Sequence, residues 1–314
     1  MILTLVTVVL PVFLVIGAGA AAVKARLISA GAIDGLMLYA QTFALPVVLF
    51  RGISGLDLGA VFDLRLLGSF YAGAATCFFL GMLGARRFFA ARPGESVAIG
   101  FASLFSNSLL LGIPIMASAY GPASLAPNFA IMSIHAPFCY VLGITTMELV
   151  RADGRGWRDT LRSILRALFR NALMIGLALG FLVNLSGQSL PGPVTGAVDM
   201  IANSALPTAL FGLGGVLTRY SLHAKLGEAT MIAGLSLAVH PTIAYVLAQH
   251  VFALPPEFVR AAVVTAAMPP GVNAYVFANM YARGQAQAAS AVLIATAASV
   301  LTISAWLTLL GGVQ

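Results

Sequence analysis

Long apolar segments, separated by short clusters of helix-breaking residues, govern what this 314-residue chain can fold into. A helix that crosses a bilayer needs about 20 apolar residues. Ten such segments can be read: 2–23, 33–53, 66–89, 96–119, 128–150, 169–186, 195–217, 228–249, 258–281 and 286–310. The breakers between them include Ser29-Ala30-Gly31, Ser54-Gly55, Gly121-Pro122, Ser189-Leu190-Pro191-Gly192-Pro193 and Pro255-Pro256. Only 9% of residues are charged. Soluble domains carry about 25%, so the solvent for this chain is lipid. Residues 2–23 have no basic leader and no small-residue cleavage pattern, and are expected to be a retained first span rather than a signal peptide.

The charges orient the segments. With the N-terminus outside, fourteen of the 17 Lys and Arg residues fall on inward loops, leaving Arg51, Arg65 and Arg260 outside. That is the positive-inside pattern, and it predicts both termini on the periplasmic side of a cell inner membrane. The net charge of +7 does not point to nucleic acid, because the arginines lie between apolar runs instead of along one face. Cys77 and Cys139 both sit within apolar runs, so neither a disulfide framework nor a metal site is expected.

One longer inward segment divides the chain. Trp157, Leu161, Ile164, Leu165 and Leu168 recur at helical spacing, with Arg158, Arg162, Arg166 and Arg170 among them (the same segment carries Arg155). This reads as an amphipathic helix lying on the anionic leaflet, an anchor for the linker and a possible point of regulation. The expected organisation is a first repeat over 1–152, a cytoplasmic amphipathic linker over 153–168 and a second repeat over 169–314. Five spans on each side force the second repeat to enter the membrane inverted. Transporters with inverted repeats place substrate near the midplane, on discontinuous helices at corresponding positions.

A repeated heptapeptide supplies the correspondence. Ala44-Leu45-Pro46-Val47-Val48-Leu49-Phe50 returns as Ala205-Leu206-Pro207-Thr208-Ala209-Leu210-Phe211, 161 residues later. The motif is apolar and reads mainly as a kink and packing element; Gln41, Thr42, Asn203 and Ser204 just before it are better cavity candidates. The same offset carries Ser106-Asn107-Ser108 and Gly112-Ile113-Pro114 of the fourth segment onto the ninth, where Met268-Pro269-Pro270-Gly271 and Asn273-Ala274-Tyr275 stand. Proline in a membrane helix is most often just a kink, but two polar, proline-containing interruptions at matched positions predict a pair of broken, crossing helices. A broken helix exposes N–H groups at one new end and C=O groups at the other. Lipid cannot satisfy them; a cavity or a ligand can. Each half-helix N-terminus carries about half a positive charge and favours an anion.

The candidate substrate-binding residues are therefore Ser106, Asn107, Ser108 and Pro114 in the fourth segment, and Pro269, Pro270, Gly271, Asn273 and Tyr275 in the ninth. Gln41 and Asn203 join them as cavity candidates. Arg51, Asp199 and Glu148 read as residues at the membrane interfaces. His135 and His240 lie within spans and are candidates for proton or ion coupling, although a single buried histidine is more often structural. No cofactor or metal is expected beyond a coupling proton or sodium ion. The four histidines, at 135, 223, 240 and 250, form no ligand-spaced pair and have no acidic cluster beside them, which argues against a membrane enzyme. Two readings remain open, a secondary transporter of a small organic anion and a channel or sensor on the same scaffold.

Ser106-Asn107-Ser108 with Gly112-Ile113-Pro114, together with Met268-Pro269-Pro270-Gly271 and Phe277-Ala278, resembles the bacterial, malonate-transporter-like branch of the auxin efflux carrier family, whose topology is shared with the bile acid:sodium symporters. The resemblance covers essentially the whole chain. It implies an all-α integral membrane fold of ten transmembrane helices in two inverted five-helix repeats, with helices 4 and 9 broken and crossing. It also implies a scaffold of spans 1, 2, 6 and 7, a transport domain of spans 3–5 and 8–10, an elevator-type movement and a homodimer. Asn107 and the Pro269-Pro270 crossing would contact an organic anion or hold the break open.

Overall fold

The computed structural model describes residues 5–151, 157–220 and 225–311. Residues 2–4 of the first expected span, Arg155 with the start of the expected linker, and His223 lie outside the described residues. The described elements are helices, with no strand among them and one isolated β-bridge. Apart from the short turns Leu58–Val61 and Pro122–Leu125, they are in chain order α1 (Val6–Lys24), α2 (Ala30–Ser54), α3 (Leu64–Phe89), α4 (Pro93–Leu104), α5 (Ser108–Tyr120) and α6 (Ala126–Arg151). There follow α7 (Trp157–Phe169), α8 (Ala172–Ser186), α9 (Gly192–Leu217), α10 (Leu226–Val251), α11 (Pro256–Ala266), α12 (Val272–Met280) and α13 (Gln285–Leu309).

Seven of these are long and apolar enough to cross a membrane: α1, α2, α3, α6 with the 3-10 turn before it, α9, α10 and α13. The other three expected spans are shorter for two reasons. The fourth and ninth segments are each divided, into α4 and α5 and into α11 and α12. The sixth is α8, whose 15 residues reach only about 22 Å at 1.5 Å per residue.

Proline affects these helices in two ways. Three single prolines each follow a widened π-turn that ends two residues before them: Ala40–Ala44 before Pro46, Ser108–Gly112 before Pro114, and Leu235–Val239 before Pro241. In each case the residue preceding the proline donates to a carbonyl five residues back, Leu45 to Ala40, Ile113 to Ser108 and His240 to Leu235. The wide turn relieves the clash of the proline ring with the carbonyl four residues earlier and leaves the helix continuous. Pro269-Pro270 has no such escape. Two successive N–H groups are missing, and a residue before proline is pushed out of the helical region, so α11 stops at Ala266.

The chain forms two compact units. The smaller comprises residues 11–61 and 166–219. Its helices approach closely where glycine faces backbone, as small residues allow between membrane helices. A Cβ on Gly176 of α8 would lie 2.8 Å from the Pro46 Cα, and one on Gly180 would lie 2.9 Å from the Phe50 carbonyl oxygen. Gly19 of α1 meets the Phe211 carbonyl in the same way. Asn184 closes the end of α2, its Nδ2 donating to the Ile53 and Leu56 carbonyls at 2.9 and 2.7 Å.

The larger unit comprises residues 1–10, 62–165 and 220–314. Asp63 caps α3 by accepting from the Arg65 N–H at 2.7 Å, and the Arg65 guanidinium returns to the same carboxylate at 2.6 Å. That side-chain hydrogen bond holds the Asp63 carboxyl below its ordinary value. Deeper in the unit, Phe101 of α4 stacks on Phe277 of α12 with ring centroids 3.8 Å apart. Cys77 and Cys139 are buried free thiols.

Candidate substrate site

The two interruptions satisfy each other. Residues 105–107 link α4 to α5, and residues 267–271 link α11 to α12. Asn107 N–H donates to the Pro269 carbonyl at 2.8 Å, and Gly271 N–H donates to the Phe105 carbonyl at 2.9 Å. Ser106 and Pro270 form the antiparallel bridge between them. Gly271 lies where a Cβ would stand 3.5 Å from the Asn107 Cα. Prolines are tolerated in this short ladder because their carbonyls accept while their missing N–H groups are not needed.

The geometry corrects two details of the sequence reading. The 161-residue ruler sets Asn107 against Met268, but the bridge joins Ser106 to Pro270, 164 positions on. The ruler is short by about one helical turn at the breaks. Pro114 does not mark the first break; it lies inside α5, accommodated by its π-turn, and the break falls upstream at Phe105–Asn107. Pairing with the second break opens the first.

What remains after the pairing is a set of unused donors. Ser108, Leu109 and Leu110 at the start of α5, and Val272 and Asn273 at the start of α12, have N–H groups without backbone acceptors. Ser106, Asn107 and Ser108 are buried, and among the described residues neither Ser106 Oγ nor Asn107 Nδ2 has a hydrogen-bond partner. Buried polar groups are nearly always paired, so these atoms mark a place for a ligand or water. Asn273 is half-buried. Tyr275 is half-buried too, its ring 5.4 Å from that of Tyr220.

Both coupling candidates lie near the first break but are held differently. His135 of α6 is buried against Phe105 and Phe70, at centroid distances of 4.8 and 5.6 Å. Cys139 Sγ is 3.7 Å from its Nδ1. His240 of α10 is 3.1 Å from the Phe70 carbonyl through Nε2, and Gly73 leaves it room, since a Cβ there would lie 2.8 Å from its Cδ2. His240 thus looks after a helix carbonyl, while His135 touches the break itself.

Gln41 and Asn203 belong to the smaller unit and are exposed. Asn203 Oδ1 accepts from Arg51 at 3.5 Å, and Arg51 pairs with Asp199 at 2.7 Å. Arg51 and Asp199, read separately as interfacial, are partners. Opposite charges expected at the same end of neighbouring spans were the available signal. Sequence reasoning missed Asn128, whose Nδ2 donates to Thr265 Oγ1 at 2.8 Å and joins α6 to α11 one residue before that helix ends. A polar pair inside two apolar runs was visible; its pairing was not. Among the described residues no three His, Cys, Asp or Glu side chains gather as metal ligands.

The sequence from residue 4 to residue 307 matches the profile of a family described as membrane transport protein. This chain belongs to that family. Its members are transporters and not enzymes. The transporter is 25% identical over 271 residues to a Rhizobium meliloti protein named "Putative malonate transporter", a match covering 85% of this chain and 83% of that one. It is 26% identical over 270 residues to an "Uncharacterized transporter" of Methanothermobacter thermautotrophicus, covering 84% of each. The fold and the family agree on a multi-pass membrane protein that moves a small solute.

Proposed function

We propose that the chain is a secondary active transporter of a small organic anion, a mono- or dicarboxylate of the malonate kind. The observation that carries this is the mutual pairing of the two breaks, which leaves two helix N-termini and the Asn107 amide as unused donors in one buried place. Each N-terminus contributes about half a positive charge, and hydrogen bonds to a charged acceptor are worth about 1.5–3 kcal/mol each. A carboxylate fits such a donor set; a cation does not. The malonate-transporter name of one relative agrees with this chemistry.

The same reading takes the fold as ten spans in two inverted repeats, with the fourth and ninth crossing. Support comes from contacts inside the smaller unit: Gly19 meets Phe211 and Gly180 meets Phe50, and both members of the two pairs differ by the 161 of the heptapeptide. The smaller unit contains the spans expected of a scaffold and the larger those expected of a transport domain. We read them so, with alternating access of the elevator type, a homodimer through the scaffold, and both termini on the periplasmic side of the inner membrane. Gln41 and Asn203 stay cavity candidates of the scaffold surface. For coupling, a proton at His135 is favoured over His240 or a sodium ion, since the His135 ring packs on Phe105 of the first break while His240 is held by the Phe70 carbonyl.

The test is malonate uptake into proteoliposomes. Asn107→Ala and Asn273→Ala are expected to lower it at least about tenfold, the loss of one charge-assisted hydrogen bond, with unchanged thermal unfolding. Uptake at wild-type rates in both variants overturns the site. His135→Gln is expected to flatten the pH dependence of uptake while His240→Gln keeps it; equal profiles remove His135 from the coupling.

A further inference from the structure

A second place in the larger unit has the makings of an anion site. The last turns of α10, the first turns of α11 and the end of α13 enclose a cavity of about 130 Å³, comparable with cavities that admit a benzene-sized molecule. Its lining combines apolar Val259, Pro256 and Leu309 with polar Arg260, Gln249 and Tyr245. The Arg260 guanidinium stands 4.7 Å from the centre of the Tyr120 ring, and that ring is its one charge-stabilising contact among the described residues. Among the described residues no carboxylate pairs with Arg260, although Glu257 lies one turn earlier on the same helix. Tyr120 OH is buried without a hydrogen-bond partner.

Three of the four described salt bridges involve arginines, those of Arg51, Arg65 and Arg219, each meeting a carboxylate at 2.6–2.7 Å. Arg260 is held instead by a ring face and lines the cavity. A planar fork of donors matches an oxyanion, Gln249 adds an amide donor, and the apolar lining suits a short hydrocarbon stem. We propose that this cavity binds the oxyanion head of an amphiphile, a phosphate in its shared chemistry, supplied either by an acidic phospholipid or by free phosphate. The site lies on the first turns of α11, the helix whose far end is the second break.

Thermal unfolding of the purified full-length chain in detergent tests this. The probes are dihexanoyl-phosphatidylglycerol, dihexanoyl-phosphatidylcholine and inorganic phosphate, each titrated at constant ionic strength. Saturable stabilisation by the glycerol lipid and not by the choline lipid, weakened at least about tenfold in Arg260→Gln, supports the site with lipid as the source. The same pattern with phosphate alone supports it with a free oxyanion. No saturable effect of any probe, or an effect that Arg260→Gln retains in full, overturns it. Should that variant fail to fold, Gln249→Leu decides: it keeps the charge and removes the amide, and an unchanged apparent affinity for the active probe overturns the proposal.

Discussion

The two units share absorbed single prolines and close glycine contacts, and differ at Pro269-Pro270. In the smaller, Pro46 and Pro207 sit within helices that stay continuous, and glycine lets carbonyls of one helix touch the next. In the larger, Pro269-Pro270 ends a helix in the interior, and the chain leaves donors and a buried amide without partners. One unit has spent its backbone groups on packing; the other keeps some in reserve. A heptapeptide repeat in the smaller unit therefore points to the proposed site without being part of it.

The contrast can be broken at several points. The largest effect is expected from replacing Pro269 and Pro270 together by Ala, which returns both N–H groups and lets α11 continue. Malonate uptake should fall by about a hundredfold or more, two charge-assisted contacts' worth, while helix content by circular dichroism stays level or rises. Uptake near wild type would show that the break is dispensable. Next is Gly176→Val in the smaller unit, whose side chain would enter the Pro46 backbone. It should cost about 2–4 kcal/mol of stability, read as a lower unfolding temperature, with malonate affinity of the remaining folded protein unchanged. A third, Asn128→Ala, strands the buried Thr265 hydroxyl and should cost about 1–3 kcal/mol.

Two smaller effects sharpen the picture. Asp63→Ala removes the α3 cap and should cost about 1 kcal/mol. Its pH dependence has a definite sign: the folded carboxyl titrates below its ordinary value, so the contribution is present above that value and lost as pH falls below it. The wild-type advantage over the variant should shrink in acid; an advantage that grows there rules the ion pair out as its cause. Last, Pro46→Ala should change stability by no more than about 0.5 kcal/mol, because the π-turn has already absorbed the ring. A large loss would mean that the wide turn is strained.

Much of this was legible. The segment edges followed from apolar runs and breakers, and the interruption of the ninth segment followed from Pro269-Pro270, because two missing donors are a local fact. The first break was legible only by correspondence: nothing between Leu104 and Ser108 forbids a helix, and Pro114 pointed seven residues too far along. What opens that segment is a hydrogen-bond partner more than 160 residues away, which local sequence does not encode. The three π-turns were hidden for a similar reason, since a single proline can kink a helix, end it or be absorbed, and neighbouring packing decides. Asn128 and Thr265, and Arg51 and Asp199, were visible as isolated polar residues but not as pairs.

The bonds from Asn107 to Pro269 and from Gly271 to Phe105 also set an order of events in the making of the protein. Phe105 is synthesised 166 residues before Gly271, which at about 5–20 residues per second is an interval of roughly 8–33 s. During that time the first interruption has no partner, and its segment is free to close into an ordinary uninterrupted helix. The break is thus installed late, when the second half arrives and draws it open. Ribosome-bound chains stopped before Pro269 should carry a helix that the finished transporter does not have.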